Sequence, residues 1–189
     1  LGVRGLKFFR DMSLSPPNKR RVMPDDPRLK PVWDAAARER MPVLIHIADP
    51  VAFFRPVDRF NERYEELCEH PGWSFFGPDY PPFEELMEAQ QRMLAENPDT
   101  TFVIAHVGSN AENLRRVGRW LDEFPNMYVD LAARIAELGR QPYTAREFLI
   151  RHQDRVLFGT DYGPGAAGWP IDFRFLETFD EYFRYGDGR

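Results

Sequence analysis

Cysteine is all but absent from the chain: Cys68 is its single thiol, so no internal disulfide forms and the fold does not lean on oxidation. With no signal peptide visible, that scarcity favours a cytoplasmic setting. No apolar run approaches the roughly 20 residues a membrane helix needs. An excess of positive charge is missing too. The formal net charge is −5, and no basic stripe offers itself to nucleic acid. No Gly-x-Gly-x-x-Gly follows the first strand-like segment, which speaks against a dinucleotide-binding, doubly wound sheet. No internal repeat is present.

What remains is an ordinary globular composition, 43% hydrophobic and 29% charged over 189 residues, enough for one sizeable core. Short apolar runs bounded by turn residues recur at Gly2–Phe9, Pro42–Ile47, Thr101–His106, Met127–Leu131 and from Val156. Each reads as a strand. Helical periodicity lies between them, at Arg28–Arg40, Phe83–Glu96, Ala111–Glu123, Tyr143–His152 and about Phe173–Phe183. Alternation of this kind means a parallel sheet with helical crossovers. A stretch at 48–82, rich in proline and aromatics, reads as an inserted lid or pocket wall containing a short helix within Asn61–Glu69. The whole, 1–189, reads as a single domain.

The run Val156-Leu157-Phe158 reads as a strand buried on both faces. It stops at Gly159-Thr160-Asp161 and a loop through Gly163, Pro164 and Gly165. Three of the five strands thus end in a side chain able to bind metal: His46, His106 and Asp161. One histidine in an apolar strand is usually a core residue, and one such aspartate usually caps a helix or turn. The joint pattern is different, because parallel strands deliver their C-terminal ends to one rim. Imidazole and carboxylate are the donors that hold Zn2+ while leaving room for water, whose pKa the metal lowers.

Arg134 and Arg140 either clamp a substrate carboxylate or lie in a solvated loop. Lys7 binds an anion or snorkels to solvent, both ahead of carbamylation as a metal bridge. Asp130 reads as a structural acid, His70 and His152 as surface residues, and Cys68 as packing.

The segments Gly-Val-Arg-Gly-Leu-Lys-Phe, Pro-Val-Leu-Ile-His-Ile, Thr-Phe-Val-Ile-Ala-His-Val-Gly and Asp-Arg-Val-Leu-Phe-Gly-Thr-Asp-Tyr resemble strands four, five, six and eight of the amidohydrolase-related family. Its members include metal-dependent hydrolases and decarboxylases of the aminocarboxymuconate-semialdehyde type. The resemblance implies a (β/α)8 TIM-type barrel, here a partial one covering strands four to eight. It also implies a divalent metal, commonly Zn2+, and a small-molecule substrate. By position His46 is implied as a metal ligand, Asp161 as ligand and proton carrier, and His106 as the residue that orients or deprotonates metal-bound water. The family's first-strand His-x-His has no counterpart, so the chain reads as the C-terminal part of a barrel. The edge at Gly2–Phe9 would then favour association, including with a second copy. The expected activity is hydrolysis of a C–N or C–O bond. Nonoxidative decarboxylation of an aromatic or dienoic acid is the alternative, and a non-catalytic fragment the second.

Overall fold

The computed structural model describes residues 2–15, 21–163, 169–180 and 182–183. Its sheet has five short parallel strands: β1 (Leu6–Phe8), β2 (Val43–Ile45), β3 (Phe102–Ile104), β4 (Met127–Asp130) and β5 (Val156–Leu157). They pair in chain order, β1-β2-β3-β4-β5. A doubly wound sheet reverses direction at a switch point. This one never does, so it winds as a (β/α) barrel winds and forms part of one. The helices are α1 (Lys30–Arg38), α2 (Tyr64–Glu69), α3 (Phe83–Glu96), α4 (Leu114–Glu123), α5 (Ile135–Gly139), α6 (Pro142–Arg151) and α7 (Trp169–Glu177). Among the described residues no helix is long and apolar enough to cross a membrane.

The register puts Phe8, Ile45, Ile104, Val129 and Val156 in one row across the sheet. Ile45, Ile104 and Val129 are fully buried, and Phe102 beneath them meets Trp33 of α1 edge-on, ring centroids 5.5 Å apart. Helix α3 covers its side of the core with Leu86, Met87, Met93 and Leu94. It stops where the Asn97 side chain donates to the Met93 carbonyl at 2.8 Å and Pro98 blocks another turn.

Several elements differ from their sequence outline for local reasons. Helix α1 begins after a 3-10 turn at Pro27–Leu29, and the chain leaves it through Arg40, whose φ of 53° ends the helical run. Helix α7 starts earlier than periodicity suggests and ends sooner. The Thr178 hydroxyl donates to the Arg174 carbonyl and accepts the Asp180 N–H, turning the chain away. Strand β5 is not buried on both faces: Leu157 is 43% and Phe158 50% exposed. As the last strand it has a neighbour on one side only among the described residues, so half its surroundings are open. His152 is buried rather than on the surface, its ring against Phe148, while Cys68 is exposed. Pro164 and Gly165 lie outside the described residues.

The stretch 48–82 is folded back on the core. Phe53 and Phe75 are buried, Phe54 packs against Phe75 and Phe83, and Asn61 donates to the carbonyls of Ala52 and Pro56, each at 2.9 Å.

Candidate active site

Just past the buried row lie Phe9, His46, Ala105 and Asp130, and one residue further Arg10 and His106. Alternation along a strand would send His106 to the same face as Ile104, opposite His46. The chain does something else. His106, Val107, Gly108 and Ser109 all have positive φ, between 55° and 68°, forming a left-handed turn at the end of β3. Such backbone is costly for a β-branched valine and persists only where its surroundings enforce it. Here the Asp130 carboxylate accepts the His106 N–H at 2.8 Å, and Gln90 of α3 donates to the Gly108 carbonyl at 3.3 Å. Glycine suits position 108, with its φ of 68°, because a Cβ there would press on Val117 at 3.1 Å and Met127 at 3.2 Å.

The turn re-aims His106 at His46. His106 Nδ1 lies 2.8 Å from the Ala132 carbonyl and Nε2 lies 3.3 Å from His46 Nδ1. A carbonyl only accepts, so His106 carries its proton on Nδ1 and presents Nε2 as an acceptor. His46 must then donate from Nδ1, which leaves its Nε2 as a bare lone pair. That nitrogen is buried and has no hydrogen-bond partner among the described residues. Asp49 Oδ1 stands 3.7 Å from it, too far for a hydrogen bond. Phe9 closes the His46 ring edge-on at 5.5 Å.

Cations surround this pair. Burial first, then His106, Arg10, Arg134 and Lys7 in that order, push the His46 pKa from 6.5 down to about 2. His106 is also lowered, chiefly by burial and then by Arg134, against opposing contributions from its Ala132 bond, Asp130 and Asp161. Arg10 is ion-paired with the buried Asp49, and its guanidinium lies over the Phe75 ring at 5.4 Å. Lys7 lies 5.5 Å from the Phe9 ring. Arg134 is 6% exposed, and burial lowers its pKa. Its guanidinium donates to its own neighbour's carbonyl, Ala133, at 2.8 Å, and no carboxylate lies within 4.0 Å of it among the described residues.

Asp161 sits in an exposed turn with φ of 64°, where Thr160 Oγ1 accepts the Tyr162 N–H. Its charge reaches His106, Arg10 and Arg134. The structure therefore brings His46, His106 and Arg134 together with Asp161 at the mouth. Arg140 pairs with Glu62 and borders a cavity of about 450 Å3 with Arg55, Asn110 and Glu112. Arg10 and Asp49 were invisible as site residues in the sequence. Asp49, three residues past His46, is the one that spacing could have flagged.

The chemistry of His46 Nε2 suits a cation, since a buried lone pair with no donor is costly without one. No group of three or more His, Cys, Asp or Glu among the described residues is arranged as a metal shell. The chain thus supplies donors rather than a closed site.

One consequence is measurable. As pH falls past 6.5, His46 in the unfolded chain takes up a proton that the folded form refuses. The share of the metal-free protein's stability linked to His46 is therefore complete above about pH 6.5 and declines as the pH drops toward 2. Urea midpoints at about pH 8 and about pH 5 should differ in that sense, and His46→Asn should flatten the slope. An unchanged slope in the variant would remove His46 as its source.

The amidohydrolase family model matches residues 1–181, and the chain belongs to that family. Three solved structures are similar to it. They are 5-carboxyvanillate decarboxylase from Sphingomonas paucimobilis (15% identity, TM-score 0.52, 93% of this chain and 52% of that one), dihydroxybenzoic acid decarboxylase from Polaromonas sp. with bound manganese and an inhibitor (15%, 0.49, 83% and 49%), and an uncharacterised TIM-barrel protein from Bordetella bronchiseptica (20%, 0.47, 75% and 40%). The chain spans 40% to 52% of the length of these structures. No curated protein matches it.

Proposed function

We propose that the chain carries part of the active centre of a divalent-metal enzyme acting on a small carboxylic acid. The reaction that suits it best is nonoxidative decarboxylation of an aromatic or dienoic acid. The observation that carries this reading is Arg134, a buried cation with no carboxylate within 4.0 Å among the described residues, Glu137 and Glu112 acting on it only from farther off. Ionised groups are rarely buried unpaired, and a substrate carboxylate would complete this one. Arg10 and Lys7 add to the positive field around His46. Decarboxylation is also the activity named for two of the solved structures above, whose likeness is one of fold.

His46 and Asp161 would hold the metal, Zn2+ by donor type. When bound, it supplies a fixed positive charge that draws electron density from the substrate. Arg134 holds the carboxylate. As the carbon–carbon bond breaks, CO2 leaves and the electron pair stays on the substrate carbon. A proton from solvent takes the place of CO2 on that carbon, relayed by Asp161 at the open mouth. His106 Nε2 keeps the His46 ring turned by accepting its Nδ1–H. The family's name favours a second reading, hydrolysis of a C–N or C–O bond, with His106 and Asp161 handling the protons.

Purified protein supplied with Zn2+ or Mn2+ and incubated with hydroxybenzoates, and separately with aryl amides and esters, separates the two. Release of CO2 from the acids is expected. Release of amine or alcohol without CO2 would replace decarboxylation by hydrolysis.

A further inference from the structure

We propose that Asp49 is a protein ligand, beside His46, for the divalent cation of that centre. The inference rests on the metal reading above and extends it to a residue with no role in it.

The geometry sets two electron-pair donors face to face. Asp49 is 7% exposed and His46 also 7%. His46 Nε2 and Asp49 Oδ1 are 3.7 Å apart, and the nitrogen has no hydrogen-bond partner among the described residues. A proton between them would resolve the arrangement, but the hydrogen bonds forbid it in the neutral ring. Moving the His46 proton to Nε2 would make Nδ1 an acceptor, so His106 would have to donate from Nε2. His106 Nδ1 would then meet the Ala132 carbonyl at 2.8 Å, acceptor against acceptor. A cation fits between a bare imidazole nitrogen and a carboxylate oxygen, accepting an electron pair from each.

The two oxygens of Asp49 are divided in the way a ligand needs. One is ion-paired with Arg10; the other is turned to His46. Ligating carboxylates are themselves held by an outer partner that fixes their orientation, and Arg10 has that place here. The spacing contributes as well. Asp49 follows His46 by a loop of two residues, Ile47 and Ala48, both fully buried. The carboxylate is therefore anchored to the same strand end as the imidazole.

The test is metal binding by the chelator-treated chain, followed calorimetrically with MnCl2 and ZnCl2, with thermal melts to check folding. Asp49→Asn is expected to weaken binding about 10- to 100-fold, Asp49→Glu to restore part of it, and His46→Ala to weaken it at least as much. Asp49→Cys titrated with Cd2+ should gain a thiolate–cadmium charge-transfer band. Wild type and His46→Ala, whose one thiol is the exposed Cys68, provide the comparison. If His46→Ala loses the metal while Asp49→Asn binds as wild type does, Asp49 is no ligand and the gap holds a bridging water, with the metal reading intact. A folded Asp49→Cys that gains no such band also overturns the assignment. Absence of binding in wild type would overturn both this inference and the metal reading.

Discussion

Replacing Arg134 by glutamine is expected to weaken binding of a carboxylate substrate, or of benzoate as a probe, by about 10- to 150-fold, with no loss of thermal stability. The magnitude follows from the hydrogen bonds of a charged donor, worth about 1.5–3 kcal/mol when one partner is removed, at 1.4 kcal/mol per factor of ten. The stability half follows from burial. Arg134 is 6% exposed with no carboxylate within 4.0 Å among the described residues, and the more distant Glu137, Glu112 and Asp161 offset only part of the burial, so the empty protein bears the rest of its desolvation. Glutamine relieves that cost, and the melting temperature should stay level or rise. Arg134→Lys keeps the charge but not the planar fork, and should recover only part of the affinity. Arg140→Gln is the control. That guanidinium is bound to Glu62 and its side chain is 49% exposed. Its loss should leave benzoate affinity within about twofold. Equal effects of the two substitutions on KM or on benzoate binding, read by calorimetry, would refute the assignment of Arg134 to the carboxylate.

Arg134 and Arg140 also show where sequence reading stops. Six positions apart in one basic stretch, they look alike as candidates for a clamp. The stretch contains α5, a five-residue helix, too short for its period to register. It buries Leu138 and Glu137 and leaves Arg134 inside and Arg140 half exposed on Glu62. The strands were legible because five apolar runs end in turn residues, and strand ends told which residues could share a rim. Their burial was less legible, since β5 reads like β2 but stands at the sheet's edge. His46 and His106 were visible as strand-end imidazoles. The left-handed turn that brings them together was not, because it depends on a carboxylate from the next strand, Asp130. Arg10 and Asp49 lie in different units and acquire meaning only when β1 and β2 pair. Such pairings are tertiary facts, and periodicity carries none of them.

The other large effect is expected at Arg63. Glu137 in α5 has a side chain with 0% exposure, and Arg63, at the start of α2, is its closest cation, with Arg140 more distant at 3.9 Å. Asn61 fixes the segment that presents Arg63, since its side-chain oxygen accepts the Arg63 N–H at 2.9 Å while its amide holds two carbonyls. Arg63 also reaches Glu66 at 3.0 Å. Removing one partner of a buried pair leaves the other charge desolvated and uncompensated, which costs about 3–5 kcal/mol. Arg63 itself is 22% exposed, so water can reach part of the gap and the lower end, about 3 kcal/mol, is expected for Arg63→Ala. Arg140→Ala should cost less than about 1 kcal/mol, as an exposed pair does. The double substitution Arg63→Leu with Glu137→Leu should recover most of the loss, because an apolar pair of similar reach removes the stranded charge. Urea unfolding of the four proteins measures all of this. If Arg63→Ala and Arg140→Ala are equally mild, the insert at 48–82 is not pinned to the barrel through Glu137, and its attachment rests on its other contacts, the packing of Phe53, Phe54 and Phe75 among them.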